Sequence, residues 1–335
     1  MHVHSRRRLE QVQRHPEQSR AGTRVPVRRS DPRITFKPTL TPVSLLLAYL
    51  NGQFLPRAAA TVPVEDRGFA FGDGVYEVWR VVNGRLFENE RHLARLVSGL
   101  AELRIAAPDL ARPDVLKAVA ERLLAESKLT GGEATLYVEI TRGVAPRTHQ
   151  FPPPATTPTV YATVSPFTPA DELRARGASC ITVPDVRWLR CDVKTIQLLP
   201  NVMARQAAAE RGAIEGIMIR DGIVTEGSHT NVVGVLDGVI RTHPTNNLIL
   251  PGVTRAVVLD LARSLGLAVR EDALAERDLR RLDELFLVGT TTDVMPIVRL
   301  NDQPVGSGAP GPIATQLART FREYLDAACA AAHAA

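Results

Sequence analysis

Four Asn-Gly or Asp-Gly dipeptides constrain this chain more than any other feature: Asn51-Gly52, Asn83-Gly84, Asp221-Gly222 and Asp237-Gly238. A two-residue hairpin turn of the favoured hand needs positive φ at its central residues, which Asn, Asp and Gly adopt at least cost. Strand-like residues flank each dipeptide, so each predicts an antiparallel hairpin. Residues 75–82 pair in this reading with Leu86 and Phe87. Segments 216–219, 223–225, 231–235 and 239–242 read as an antiparallel meander. Residues 135–141 alternate, with Leu136, Val138 and Ile140 on one face and Tyr137 and Glu139 on the other.

Helical spacing separates these strands. It links Leu93, Leu96, Val97, Leu100 and Leu103, and again Val115, Leu116, Val119, Leu123 and Leu124. The same period runs over 253–265, after Pro251-Gly252, and over 313–325. Segment 151–158 carries four prolines and must be a loop. The Pro-containing stretch 165–169 is the expected linker. The pattern predicts an α/β (α+β) fold of two domains. A smaller α/β domain covers 46–165, and a larger one rich in antiparallel strands covers 170–335. No apolar run approaches the ~20 residues that span a bilayer, so no membrane partner is expected.

A basic leader over 1–44 precedes the body and distorts the charge balance. The whole chain carries a net charge of +5, but residues 1–45 hold ten Lys/Arg and three Asp/Glu, a net of +7 that leaves −2 for the rest. The leader shows no apolar periodicity and reads as unstructured. A targeting presequence or a nucleic-acid-binding arm is one reading; an upstream start codon or a plain tail is the favoured one. With a near-neutral body, no nucleic-acid partner is expected. Cys180, Cys191 and Cys329 form neither a metal-ligand spacing nor a disulfide framework, which places the chain in a reducing cytoplasm. Cys191 reads as a small buried hydrophobe.

Lysine is scarce: Lys37, Lys117, Lys128 and Lys194 are the only four among 41 basic side chains. Arginine stays protonated at any accessible pH, whereas a lysine amine can lose its proton and attack a carbonyl. Lys194 has a candidate partner in Glu226, which ends a predicted strand before a glycine. A lysine with a carboxylate suits pyridoxal phosphate, whose aldehyde takes an amine and whose ring nitrogen takes an acid. On spacing alone a plain structural ion pair, or two solvated charges, is the favoured reading. Leu250-Pro251-Gly252-Val253-Thr254 opens a helix whose first N–H groups would cradle a phosphate, and Thr290 follows an apolar strand nearby; capping alone also explains both. Arg95 begins a helix and either contacts a phosphate or covers surface. Arg147 and His149 stand in a loop that either clamps a carboxylate or is simply solvated. Gly306-Ser307-Gly308 lacks a P-loop lysine, Glu-Gly-Ser-His-Thr is no nucleophile elbow, and there is no zinc-ligand spacing.

Six segments in order carry a resemblance: residues 66–77, 90–96, 145–152, 187–201, 225–231 and 246–255. Together they resemble the class IV, fold-type IV, pyridoxal-phosphate aminotransferases, and within them the D-amino-acid (D-alanine) aminotransferases, from about residue 48 to 325. The resemblance implies transamination between a D-amino acid and a 2-oxo acid. Lys194 would be the Schiff-base lysine and proton shuttle, with Glu226 at the pyridine nitrogen and Leu250 against the ring. Arg95, Val253, Thr254 and Thr290 would hold the phosphate. Tyr76, Arg147 and His149 would trap the substrate carboxylate, the last two across the interface of a homodimer. The run Pro146-Arg147-Thr148-His149-Gln150-Phe151 favours D-amino acids over a branched-chain aminotransferase. An (R)-amine transaminase and an aminodeoxychorismate lyase are further alternatives. Two residues depart from the family pattern: Gly289 stands where a hydroxyl is expected near the phosphate, and His229 replaces a small serine. The second is expected to alter the hydrogen bonding around Glu226.

Overall fold

The structure, a computed structural model, describes residues 46–330; the leader and its readings lie outside the described residues. The first sheet is built from β1 (Leu47–Leu50), β2 (Gln53–Pro56), β3 (Gly74–Val82), β4 (Arg85–Leu86), β5 (Glu133–Thr141) and β6 (Thr159–Pro166), in the order β2-β1-β6-β5-β3-β4. Every pairing in it is antiparallel. The first two Asn-Gly dipeptides close the hairpins β1–β2 and β3–β4, and at Asn83-Gly84 the φ values are 49° and 79°. Phe87 lies past the end of β4, yet its N–H still donates to the Arg80 carbonyl at 2.9 Å.

Helices α1 (Arg67–Phe71), α2 (Asn89–Glu102) and α3 (Pro113–Glu126) fall between these strands. Leu93, Leu96 and Leu100 of α2 and Leu116, Leu123 and Leu124 of α3 bury against Trp79, Leu136, Val138 and Ile140. Each such leucine contributes about 2 kcal/mol of transfer free energy. Val97 is exposed, on the flank of the α2 stripe. β5 keeps the predicted alternation, so its other face presents Tyr137 and Glu139 only half-buried.

The second sheet holds β7 (Ala178–Pro184), β8 (Glu215–Arg220), β9 (Ile223–Gly227), β10 (Asn231–Leu236), β11 (Val239–Thr242), β12 (Val269–Arg270), β13 (Glu284–Gly289), β14 (Asp293–Leu300) and β15 (Gln303–Pro304). Its order is β12-β11-β10-β13-β14-β7-β8-β9, with β15 on β14. The hairpins β8–β9 and β10–β11 form as predicted, but they do not make one meander. β13, β14 and β7 intervene, because β10 pairs with β13 and β8 pairs in parallel with β7. Only a corner links β9 to β10, through the Gly227 N–H on the Thr230 carbonyl at 2.7 Å. β6 also runs further than expected: Ser165 and Pro166 finish the strand opposite Thr135 and Ala134, and the connector starts at 167.

Short α4 (Asp171–Arg176) leads into this sheet, and α5 (Leu199–Glu210) follows the lysine segment. α6 (Val253–Ser264) and α7 (Pro312–Ala328) cover β10, β13 and β14 through Val257, Val258, Leu317, Phe321 and Phe286. No helix among the described residues is long and apolar enough to cross a membrane.

The sheets meet where residues 194–196 lie against β3. The Tyr76 N–H donates to the Lys194 carbonyl at 3.0 Å, and the Ile196 N–H donates to the Gly74 carbonyl at 3.2 Å. This irregular strand edge positions Lys194.

Candidate active site

Lys194 and Tyr76 face each other across that junction. The backbone bonds fix both Cα positions, and the Lys194 Nζ stands 4.2 Å from the centre of the Tyr76 ring, close enough for a cation–π contact. Both line a cleft open to solvent, with Glu226 and Leu250 in its wall.

Glu226, the penultimate residue of β9, is buried. One carboxylate oxygen accepts from Arg187. The other accepts from Asn231 Nδ2 at 3.1 Å and from the Leu250 N–H at 3.0 Å. Burial pushes its pKa up to about 7, although Arg187 works in the opposite direction. Arg187 is itself anchored on Asp185 at 2.7 Å. Burial opposes the Asp185 charge as well, but the bonds from Arg187 outweigh it and hold that carboxyl at about 2. Arg187, Asp185 and Asn231 were not singled out from sequence. Apart from the Asp185–Arg187 and Asn231–Glu226 pairs, the partners they meet lie far along the chain, and no local periodicity marks them.

The raised Glu226 pKa carries a stability signature. In the ligand-free folded protein the carboxyl keeps its proton up to about 7, whereas unfolded it loses it near 4.5. The folded state therefore binds more protons across that window, and stability falls as pH rises through it, by up to about 3 kcal/mol. Denaturant titrations at pH 4.5 and 7.5 are expected to show this loss, and Glu226→Gln is expected to remove this contribution.

Next to this wall, α6 starts at Val253 with Gly252 as its cap residue and no side chain capping it, which leaves the first N–H groups for an anion. A Cβ on Gly252 would stand 2.0 Å from Asn231 Oδ1, so only glycine lets the helix start approach the Asn231–Glu226 pair. Arg95 reaches the same turn, donating from Nη1 to the Pro251 carbonyl at 2.9 Å. Its other donors are held by Glu77 at 2.9 and 2.8 Å. Burial opposes the Glu77 charge, but Arg95 and the His92 Nδ1 at 3.0 Å keep its carboxyl well below the ordinary range. Thr254 is buried in the first turn. Thr290 follows β13, and its carbonyl accepts from the buried Arg80 at 3.4 Å. Arg95, Val253, Thr254 and Thr290 thus stand beside the cleft and outside its wall.

Arg147 and His149 are not brought to Lys194 in this chain. Both are exposed and stand around Phe71, the guanidinium 5.2 Å and the imidazole 5.9 Å from its ring centre. The Thr148 carbonyl between them accepts from the buried Arg67 at 2.8 Å. Cys191 is the buried, protonated thiol expected: burial pushes it up to about 11. At Gly289, a Cβ would meet nothing closer than 3.5 Å, so the site has room for the hydroxyl residue it lacks. His229 bonds to Glu215 at 2.9 Å and leaves Glu226 to the partners above, contrary to the expected disturbance there.

These residues fit pyridoxal phosphate: an amine at Lys194, a buried acid for the ring nitrogen, and an uncapped helix start with an arginine for the phosphate. Comparison with known proteins agrees. The profile of the family described as "Amino-transferase class IV" matches residues 74–300. The D-alanine aminotransferase of Bacillus licheniformis is 43% identical over 263 residues, covering 78% of this chain and 91% of that protein. That of Staphylococcus aureus (strain MSSA476) is 39% identical over 280 residues, covering 83% and 97%. Among solved structures, the Escherichia coli branched-chain amino acid aminotransferase superposes with a TM-score of 0.78 at 23% identity, covering 87% of this chain and 98% of that one. A fold IV-transaminase of Curtobacterium pusillum gives 0.70 at 27% identity, covering 82% and 92%. With a family match over most of the body, relatives of this identity and a lysine–glutamate cleft between the sheets, the chain belongs to the class IV aminotransferases.

Proposed function

We propose that this protein transfers the amino group of a D-amino acid such as D-alanine to a 2-oxo acid, with pyridoxal phosphate as cofactor. The observation that carries this reading is the placement of Lys194 over Tyr76 in the same cleft as the buried Glu226. The relatives named as D-alanine aminotransferases support the D-amino acid; the branched-chain enzymes are alike in fold at lower identity.

When bound, the cofactor supplies an aldehyde for amines and an electron-withdrawing ring that acidifies the substrate Cα. Lys194 Nζ takes the Cα proton and returns it, so one side chain serves both half-reactions. Glu226 would hold a proton on the ring nitrogen, with its carboxylate aimed by Arg187 and Asn231. The α6 start, Arg95, Thr254 and Thr290 would hold the phosphate, and Leu250 would pack on the ring.

The reading assigns Arg147 and His149 to the second subunit's site in a homodimer, where they hold the substrate carboxylate and select which Cα face meets Lys194. Two observations support this. The pair stands away from its own lysine, and a cavity beside the cleft is rimmed by Val62, Phe69 and Leu198, with Phe69 75% and Leu199 69% exposed, an apolar surface suited to a second copy. The three buried free cysteines support a cytoplasmic location. We assign the two sheets to the two domains, 46–165 and 170–335.

Initial rates with D-alanine, L-leucine, an (R)-amine and aminodeoxychorismate test the reading. D-alanine is expected to be the best donor. Negligible turnover of D-alanine beside rapid turnover of L-leucine overturns it in favour of a branched-chain enzyme.

A further inference from the structure

Residues 66–73 lead into Tyr76 and take no part in the roles above, yet they are built around a buried arginine. Asp66 caps α1 by accepting from the Gly68 N–H at 2.8 Å, and Gly72 ends the helix at a φ of 68°. Arg67, the first residue of α1, is only 4% exposed. Its Nε donates to Asp73 Oδ2 at 2.7 Å, and its Nη1 donates to the Thr148 carbonyl at 2.8 Å.

Thr148 lies between Arg147 and His149. Residues 146–150 are exposed, and their own hydrogen bonds stay within the segment: the Thr148 N–H donates to the Pro146 carbonyl at 2.7 Å, and Thr148 Oγ1 donates to the Gln150 carbonyl at 3.4 Å. Among the described residues, the Arg67 bond is the one hydrogen bond that ties 146–150 to the rest of the chain. A second hold comes from the other end of α1. There the Phe71 ring has Arg147 and His149 around it, with the Arg67 guanidinium 4.7 Å from its centre. The base beneath Arg67 is itself anchored. Asp73 also accepts from Arg142 Nε at 2.8 Å and Nη2 at 2.9 Å, and the Arg142 guanidinium stands 3.7 Å from the centre of the Phe151 ring, just past the segment. Burial opposes the Asp73 charge, but the bonds from Arg142 and Arg67 outweigh it and keep the carboxyl below its ordinary range.

We propose that Arg67, clamped by Asp73, is a positioning residue for capture of the substrate carboxylate: it fixes the Thr148 carbonyl and so sets where Arg147 and His149 stand. This rests on the reading that gives those two residues the substrate carboxylate. Without the Arg67 bond the exposed segment is free to sample many conformations, and ordering it at the moment of binding lowers affinity. Arg67 imposes that order beforehand from a buried base. The rigid fork of a guanidinium suits the task, because Nε holds the Asp73 carboxylate while Nη1 reaches the Thr148 carbonyl. A misplacement of about 1 Å costs up to about a hundredfold in rate, and here the loss is confined to substrates that bear the carboxylate. Arg142 keeps Asp73 paired when Arg67 is replaced, so no buried charge is left alone.

The test is a ratio of second-order rate constants in the half-reaction of the enzyme loaded with pyridoxal phosphate: D-alanine over D-alaninamide, which keeps the Cα and lacks the negative charge. Arg67→Gln is expected to lower this ratio about ten- to hundredfold, while the D-alaninamide rate and the cofactor absorption band stay at their wild-type values. Arg67→Lys, which keeps the charge and a donor, is expected to lower the ratio less, and it decides the point if Arg67→Gln yields no folded protein. A ratio unchanged in the folded variant, or both rates falling together, overturns the assignment. Arg147→Ala leaving the ratio unchanged instead overturns the carboxylate role of Arg147, and this inference with it. Absence of turnover with D-alanine in the wild type overturns the transaminase reading itself.

Discussion

Lys194→Ala is expected to abolish transamination, lowering kcat by about 10⁴-fold or more, while unfolding free energy stays within about 0.5 kcal/mol of wild type. The two halves of this result have separate causes. The amine reaches into the cleft from the segment beside β3 and stands over Tyr76, so in the proposed role its removal takes away both the covalent attachment of the cofactor and the proton carrier. The segment itself is held by backbone bonds, Tyr76 N–H to Lys194 C=O and Ile196 N–H to Gly74 C=O, which alanine keeps. The side chain is only half-buried. Lys194→Arg is expected to be as inactive as alanine, because a guanidinium keeps its proton. Kinetics and denaturant unfolding of the same samples decide the point. Residual turnover within a hundredfold of wild type contradicts the role.

The second large effect concerns Arg147. With Arg147 in the proposed role of holding the substrate carboxylate, Arg147→Ala is expected to lower kcat/KM about a hundredfold. Its location gives a sharper test than its magnitude. If each site takes Lys194 from one subunit and Arg147 from the other, co-expressing Lys194→Ala with Arg147→Ala chains builds heterodimers with one intact site. Statistical pairing then restores about a quarter of wild-type activity, although each variant alone is almost inactive. If both residues served the same subunit's site, mixing would restore nothing.

Local chemistry was legible in the chain and long-range pairing was not. The four Asn-Gly and Asp-Gly dipeptides predicted as turns form hairpins with positive φ at both central residues, because that conformation is decided within two residues. The place of those hairpins in the second sheet depends on β7, β13 and β14 inserting between them, which no local pattern encodes. α5 escaped notice for a related reason: it buries only Ala204 and Ala208, so it shows no apolar stripe. The site divides in the same way. Lys194 and Glu226 stand out by scarcity and by position at a strand end. Asn231 and Glu215 matter through partners distant in the local pattern, as does the Arg187 contact to Glu226, and His229 drew attention as a departure although its partner proved to be Glu215. Arg147 and His149 were legible by motif, yet their distance from Lys194 within one chain became visible only in the fold.

The account turns on Lys194 and Glu226 holding pyridoxal phosphate for D-amino acids, and a visible absorption spectrum tests it most directly. The purified protein, supplied with pyridoxal phosphate, is expected to show a cofactor band that L-alanine leaves in place and D-alanine shifts. A band that L-alanine alone shifts, or no band after the cofactor is added, contradicts the account.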